Sequence, residues 1–243
     1  MIELILLGTF VGLLSGLFGI GGGTILVPLL LLLGYETKIA IGISVIQMVF
    51  SSVYGSYLNN KKGTLDVLMV VIIGLGGFTG ALLSGNITAS FSDQTLEMVF
   101  LAFAAFALIR LFMKTHDYKY EKKVNKAVLF VTGFVIGAIS MSIGVGGSLI
   151  LVPILVGFLH VPLKKATSAG LFFVVFSSVS GLISHTLHGH VDYTSGIIIG
   201  LASLAGVYAG IHLKHHILNV SLQKKLLTVL YLIIVIYLLY RIF

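Results

Sequence analysis

Two glycine-rich stretches carry the most chemistry in this 243-residue chain: Gly19-Ile-Gly-Gly-Gly-Thr24 and Gly144-Val-Gly-Gly-Ser-Leu149. Glycine lets a backbone turn sharply and approach a ligand closely. Each stretch runs into a short apolar segment, so each is expected to open a helix, near Thr24 and near Ser148. The first N–H groups of a helix have no partner within it and carry the positive end of its dipole. Two such ends facing one cavity would hold a small anion without any basic side chain. On this reading Gly21, Gly22, Gly23 and Thr24, with Gly146, Gly147 and Ser148, are candidate substrate-binding residues. The competing reading is close helix packing, which small residues also permit.

A second layer is rich in hydroxyls. Ser51 and Ser52 lie within one long apolar run, Ser177 and Ser178 lie at the matching place in another, and Thr167 and Ser168 open that second run. Neutral donors suit an oxyanion that must leave again. The same hydroxyls could instead bond back to their own helix. Gln47 is a sharper candidate, because an amide inside a membrane helix needs a partner or a purpose.

Other chemistry is thin. Asp66, Asp192, Asp93, Glu97 and Glu36 all sit near the boundaries of apolar runs, so no carboxylate is expected at mid-membrane depth. Asp66 and Asp192 each follow a glycine by three residues and are expected to cap helices. His185, His188 and His190 crowd one expected outer loop, and His212, His215 and His216 an inner one. Metal ligation is conceivable for the first group. Copy one, however, has Asn59, Lys62 and Thr64 at those places, so loop histidines without a metal are expected. The glycine pattern lacks the spacing of a dinucleotide fingerprint. With no cysteine there is no disulfide or thiolate site. Neither a cofactor nor a catalytic constellation is expected.

These residues must be positioned by membrane helices. The chain is 58% hydrophobic and 9% charged, far below the quarter or so of charged residues in a soluble domain. That composition excludes most soluble enzymes, and the length excludes a pump with its own nucleotide domain. Met1 to Phe18 carries Glu3 where a basic region would stand, so it reads as a retained segment and not as a signal peptide.

The chain is two copies of one unit. Gly12…Gly19-x-Gly-Gly-Gly…Pro28 is repeated as Gly137…Gly144-x-Gly-Gly-Ser…Pro153. One residue later in register, Phe50-Ser-Ser52 matches Phe176-Ser-Ser178, Asp66 matches Asp192, and Gly74 matches Gly200. Residues 1–113 and 127–243 are thus two membrane repeats flanking a polar linker at 114–126. Each repeat has a glycine-broken stretch, Ile2–Gly34 or Ala127–Leu159, and then three apolar runs. The runs are Ile39–Leu58, Leu65–Leu83 and Thr95–Phe112, then Ala166–Leu187, Tyr193–His212 and Leu222–Ile242. Each is near the roughly 20 residues that a transmembrane helix needs. The second arms of the broken stretches, Ile25–Leu33 and Leu149–Phe158, reach only about 15 Å as helix. They read as re-entrant or broken helices meeting near the midplane.

Charge sets the expected topology. With the lysine-rich linker cytoplasmic and each broken stretch returning to its starting side, all basic residues except Lys38 and Arg241 fall inside. Parallel copies would divide them far more evenly, so the positive-inside rule favours inverted repeats with both termini outside. The net charge of +7 is thereby assigned to cytoplasmic loops, not to nucleic-acid binding.

The motif Gly12…Gly16…Gly19-x-Gly-Gly-Gly-x-x-x-Val-Pro28, its repeat from Gly133 to Pro153, and Lys-Ala-Thr-Ser at 165–168 resemble the sulfite exporter TauE/SafE family of membrane permeases. The resemblance spans essentially the whole chain and implies carriage of sulfite, sulfonates or other small anions. The expectation is therefore an all-α polytopic protein of the cytoplasmic membrane, with two inverted-topology repeats. It would act as a secondary transporter or uniporter of a small anion, exporting sulfite or an organosulfonate; the alternatives are a metal-cation transporter using the His-rich loops and a non-transporting membrane assembly protein. Its partners would be that anion and the lipid bilayer, with no nucleic acid; a homodimer is compatible.

Overall fold

The computed structural model describes residues 1–18, 21–60, 66–112, 125–216 and 220–243. Most of the expected linker lies outside these residues. Its last two residues belong to the following helix, which Asn125 caps by accepting from the Ala127 amide at 2.9 Å. Among the described residues all regular structure is helical. In the first copy these are α1 (Ile2–Phe18), α2 (Gly23–Leu32), α3 (Thr37–Asn60), α4 (Val67–Ala81), α5 (Ser84–Ser90) and α6 (Asp93–Phe112). The second copy holds α7 (Lys126–Ser142), α8 (Ser148–Gly157), α9 (Leu163–Leu187), α10 (Tyr193–His216) and α11 (Val220–Ile242). Six helical segments are long and apolar enough to cross a membrane. They match the six expected runs, with α4 and α5 together forming one of them.

The outer surface is unlike that of a water-soluble protein. Buried polar side chains include Ser44, Gln47, Ser140, Ser177 and Ser203, whereas Leu6, Ile109, Leu201, Ile233 and Ile236 are exposed. Lipid tails are as apolar as leucine, so burying leucine gains nothing there and the interior is held by close packing and hydrogen bonds.

Packing exchanges elements between the copies. α1 lies along α10, and α7 lies along α4 in the same way. α1 presents Gly8, Gly12 and Gly16 to Ile199, Ser203 and Val207, so α1 and α10 run in the same direction. A Cβ at Gly12 would overlap the Ser203 backbone. Gly133 and Gly137 meet Ile73 and Gly77 equivalently. Gly74 receives the Phe176 ring, and Gly200 receives the Phe50 ring. The long helices α3 and α9 pack on each other at the centre, and α6 packs on α11.

The helix starts follow local chemistry. Asp66 caps α4 through the Met69 amide at 3.2 Å, and Asp192 accepts from the Ser195 amide at 3.2 Å, as the sequence led one to expect. One asymmetry is unanticipated. The first copy breaks between α4 and α5 at Leu82–Leu83, where α10 in the second copy runs unbroken.

Candidate functional site

α2 and α8 are 10-residue helices, each begun by a glycine in a left-handed conformation. Gly21 and Gly22 have φ of 79° and 75°; Gly144 and Gly147 have 69° and 61°. A side chain is strained there, which is why each turn is built of glycine. The helices begin at Gly23 and Ser148, within a residue of the expected positions.

The two turns meet. A Cβ on Gly21 would lie 3.7 Å from the Gly146 Cα, and one on Gly23 would overlap the Gly144 carbonyl oxygen. That carbonyl accepts a hydrogen bond from Ser44 Oγ of α3 at 2.9 Å. Every candidate from Gly21 to Thr24 and from Gly146 to Ser148 is buried, so the junction is closed in this conformation. Not all of its N–H groups point outward. The Gly23 and Ser148 amides turn back onto the carbonyls of Gly21 and Gly146, at 2.9 and 2.6 Å, and Gly147 N–H bonds the Val145 carbonyl.

Gln47 stands over the first turn. A Cβ at Gly22 would sit 2.7 Å from its Oε1 and 2.8 Å from its Nε2. Gln47 is fully buried, and neither amide atom has a hydrogen-bond partner. Leaving such a group unpartnered in a dry interior costs about 1–3 kcal/mol. At the equivalent place in the second copy, Phe173 lies over Gly147, its Cε1 2.6 Å from the would-be Cβ. Ser140 Oγ lies 2.8 Å from that same point. Ser140 and Ser148 are also buried with unpartnered hydroxyls. The junction thus combines an amide and two hydroxyls with two helix starts, and none of these side chains is ionisable.

Ser51, Ser52, Ser177 and Ser178 are buried as expected, but in this conformation each donates to its own helix. Ser177 Oγ bonds the Phe173 carbonyl at 2.9 Å, for example. The side chains of Thr167 and Ser168 lie outside the described residues.

One group differs from the sequence expectation, and one boundary carboxylate keeps its place but is buried. His185 is not a loop residue: it lies in the last turns of α9, fully buried, with Nε2 donating to the Met141 carbonyl at 3.0 Å. Glu97 lies in the first turns of α6 and is buried, accepting from Thr37 Oγ1 at 2.7 Å and from Arg241 Nε at 3.0 Å. Arg241 also donates to the Leu31 carbonyl at the end of α2, at 3.3 Å. The sequence held a signal for this knot, since Arg241 is one of the two basic residues left on the outer side by the charge count. Among the described residues no cluster of three or more His, Cys, Asp or Glu could hold a metal ion.

Comparison with known proteins agrees with this architecture. The family description "Sulfite exporter TauE/SafE" matches residues 4–238. A "probable membrane transporter protein", YunE of Bacillus subtilis, is 25% identical over 266 aligned residues, covering 97% of this chain and 94% of the relative. Another from Bacillus subtilis, YdhB, is 27% identical, with coverage of 85% and 87%. A probable membrane transporter protein of Methanocaldococcus jannaschii is 28% identical, with coverage of 75% and 71%. No solved structure matches.

Proposed function

This chain belongs to the sulfite exporter TauE/SafE family, and from that premise we propose that it carries a small oxyanion across the cytoplasmic membrane, sulfite or a short organosulfonate first among them. The observation that carries the reading is the Gln47 amide, buried and unpartnered against Gly22 where the two glycine turns meet. An oxyanion at that junction accepts from the Gln47 amide and from the Ser140 and Ser148 hydroxyls. The paired starts of α2 and α8 supply the positive ends of two dipoles. Neutral donors hold the anion without the deep well of an ion pair.

The alternating-access form of the reading uses inverted repeats, with the linker cytoplasmic and the termini outside. Two observations support it. Equivalent helices exchange partners between the copies. The end of α11 lies beside the start of α6, its own equivalent, through Arg241 and Glu97. Rocking one helix set against the other would open the closed junction to either side. Export then needs no coupled ion, since an inside-negative membrane favours anion exit by about 2.3 kcal/mol per charge per 100 mV. The bilayer is the second partner, and pairing of two copies through the apolar outer faces remains part of the proposal.

The test is anion flux in proteoliposomes under an imposed potential, with sulfite, thiosulfate, a short sulfonate, chloride and a divalent metal compared. One sulfur oxyanion moving with the potential is the expected result. Gly22→Leu and Gly147→Leu should abolish that flux in protein that still elutes as a single folded species. Undiminished flux in either variant would overturn the site.

A further inference from the structure

We propose that His185 is a proton-binding site coupled to the glycine-turn junction, so that proton and anion occupancy depend on one another. The inference rests on the anion reading above. It starts from a shared acceptor. The Met141 carbonyl accepts from His185 Nε2 at 3.0 Å and from the Gly144 amide at 3.3 Å. Gly144 is the first left-handed residue of the second turn, and its own carbonyl accepts from Ser44, which stands against Gly23. One hydrogen-bonded chain thus runs from His185 through the second turn to Ser44, which packs against Gly23 of the first.

A carbonyl can only accept, so Nε2 of His185 carries the ring proton and Nδ1 is left as an acceptor. Nδ1 is buried and has no partner. It is the basic atom of a fully buried imidazole in a membrane-spanning helix, where an ionisable group marks a functional site. A route leads to it. The half-buried His190 ring lies 6.0 Å from the His185 ring and 6.1 Å from that of His188. His188 Nδ1 lies 2.8 Å from the Ser184 carbonyl and its Nε2 2.7 Å from the Asn86 side-chain amide. Three imidazoles therefore step from the loop after α9 to the buried His185 within it. The charged groups facing them from neighbouring helices are Lys38 of α3 and Asp93 of α6, both acting on His190. No carboxylate among the groups described around His185 would neutralise a proton there. The copy-one equivalents include Asn59 and Lys62, so the device belongs to one end of the molecule.

The sign follows from Coulomb attraction. A protonated His185 and an anion at the junction stabilise each other, so acid tightens anion binding and the anion raises the proton affinity of His185. By linkage the two effects are equal in size.

The experiment uses the full chain in lipid nanodiscs with ring-labelled histidine, titrated by NMR from pH 3 to 8. His185 is assigned by the signal missing from His185→Gln, whose amide keeps a donor for Met141. The ligand probe is a short alkyl sulfonate, whose charge is constant over this range. The expected result is a His185 signal that titrates and whose midpoint rises when sulfonate is added. In proteoliposomes, sulfonate flux should depend on pH in the wild type and be flat, though present, in His185→Gln. His188→Gln and His190→Gln should slow proton uptake at His185 without removing it, and they serve if His185→Gln fails to fold. A His185 signal with no titration would overturn the proposal, as would a midpoint unmoved by a sulfonate that the protein carries. Absence of sulfonate flux with a titrating His185 would instead remove the anion reading and leave the proton site standing.

Discussion

Gln47 concentrates the argument at the scale of one residue. Its amide is held in place by packing on Gly22 and has both polar atoms unpartnered. Gln47→Leu keeps the volume and removes the unpartnered amide, so it should leave stability unchanged or raise it by about 1 kcal/mol. If the amide holds the anion, the same change should weaken binding by about 10-fold or more, since a hydrogen bond to a charged group contributes about 1.5–3 kcal/mol. Thermal unfolding and saturation of flux, measured on one preparation, separate the two effects. A variant both less stable and unimpaired in affinity would return Gln47 to a packing role. Gln47 was legible from the sequence because an amide in an apolar run is conspicuous. The bonding of Ser51, Ser52, Ser177 and Ser178 was not, because a helix offers every serine a carbonyl three or four residues back and the choice depends on what faces it. His185 was misread for a related reason. His185, His188 and His190 lie close in sequence near one end of an apolar run, and only the course of α9 shows which of them enters the interior.

At the scale of elements, the ends of four helices are tied by one knot. Glu97 of α6 joins Thr37 at the start of α3 and Arg241 near the end of α11, and Arg241 reaches Leu31 near the end of α2. α2, one arm of the proposed site, is thereby anchored at its far end. Glu97→Leu strands the guanidinium. Its cost should be about 1–3 kcal/mol, less than for a wholly buried pair, because the Arg241 side chain is 34% exposed. Denaturation in detergent with Glu97→Leu and Arg241→Leu singly and together gives the coupling, and additive losses would dissolve the knot. The broken hairpins were legible because glycine interruptions flank runs too short to span a bilayer. The break between α4 and α5 was not. It occurs where Ser180 and Ser184 of α9 donate to the carbonyls of Phe78 and Leu82, a pairing made in the fold and absent from any local pattern.

For the whole molecule, the internal repeat carried most of the architecture. Glycines, a proline and an aspartate kept in register told of two units, and hydropathy told of helices in lipid. The orientation of the units is the part that membrane labelling must decide. The chain has no cysteine, so single introduced cysteines report cleanly. Lys119→Cys should react with an impermeant maleimide only after the membrane is opened, and Ile2→Cys or Phe243→Cys in intact cells. Labelling of all three from the same side would mean an even number of crossings per copy, hence parallel copies, and would remove the inverted arrangement; opposite labelling of the two termini would remove it as well.

The unlike pair over the two turns, amide on Gly22 and phenyl ring on Gly147, bears on this last point. Two identical halves under a two-fold axis in the membrane would be degenerate: the state facing one compartment would mirror the state facing the other, at equal energy. Gln47 and Phe173 lift that degeneracy. On the alternating-access proposal, the resting protein then has a preferred facing even with equal concentrations on both sides and no voltage, and the polar cap on one turn contributes to it.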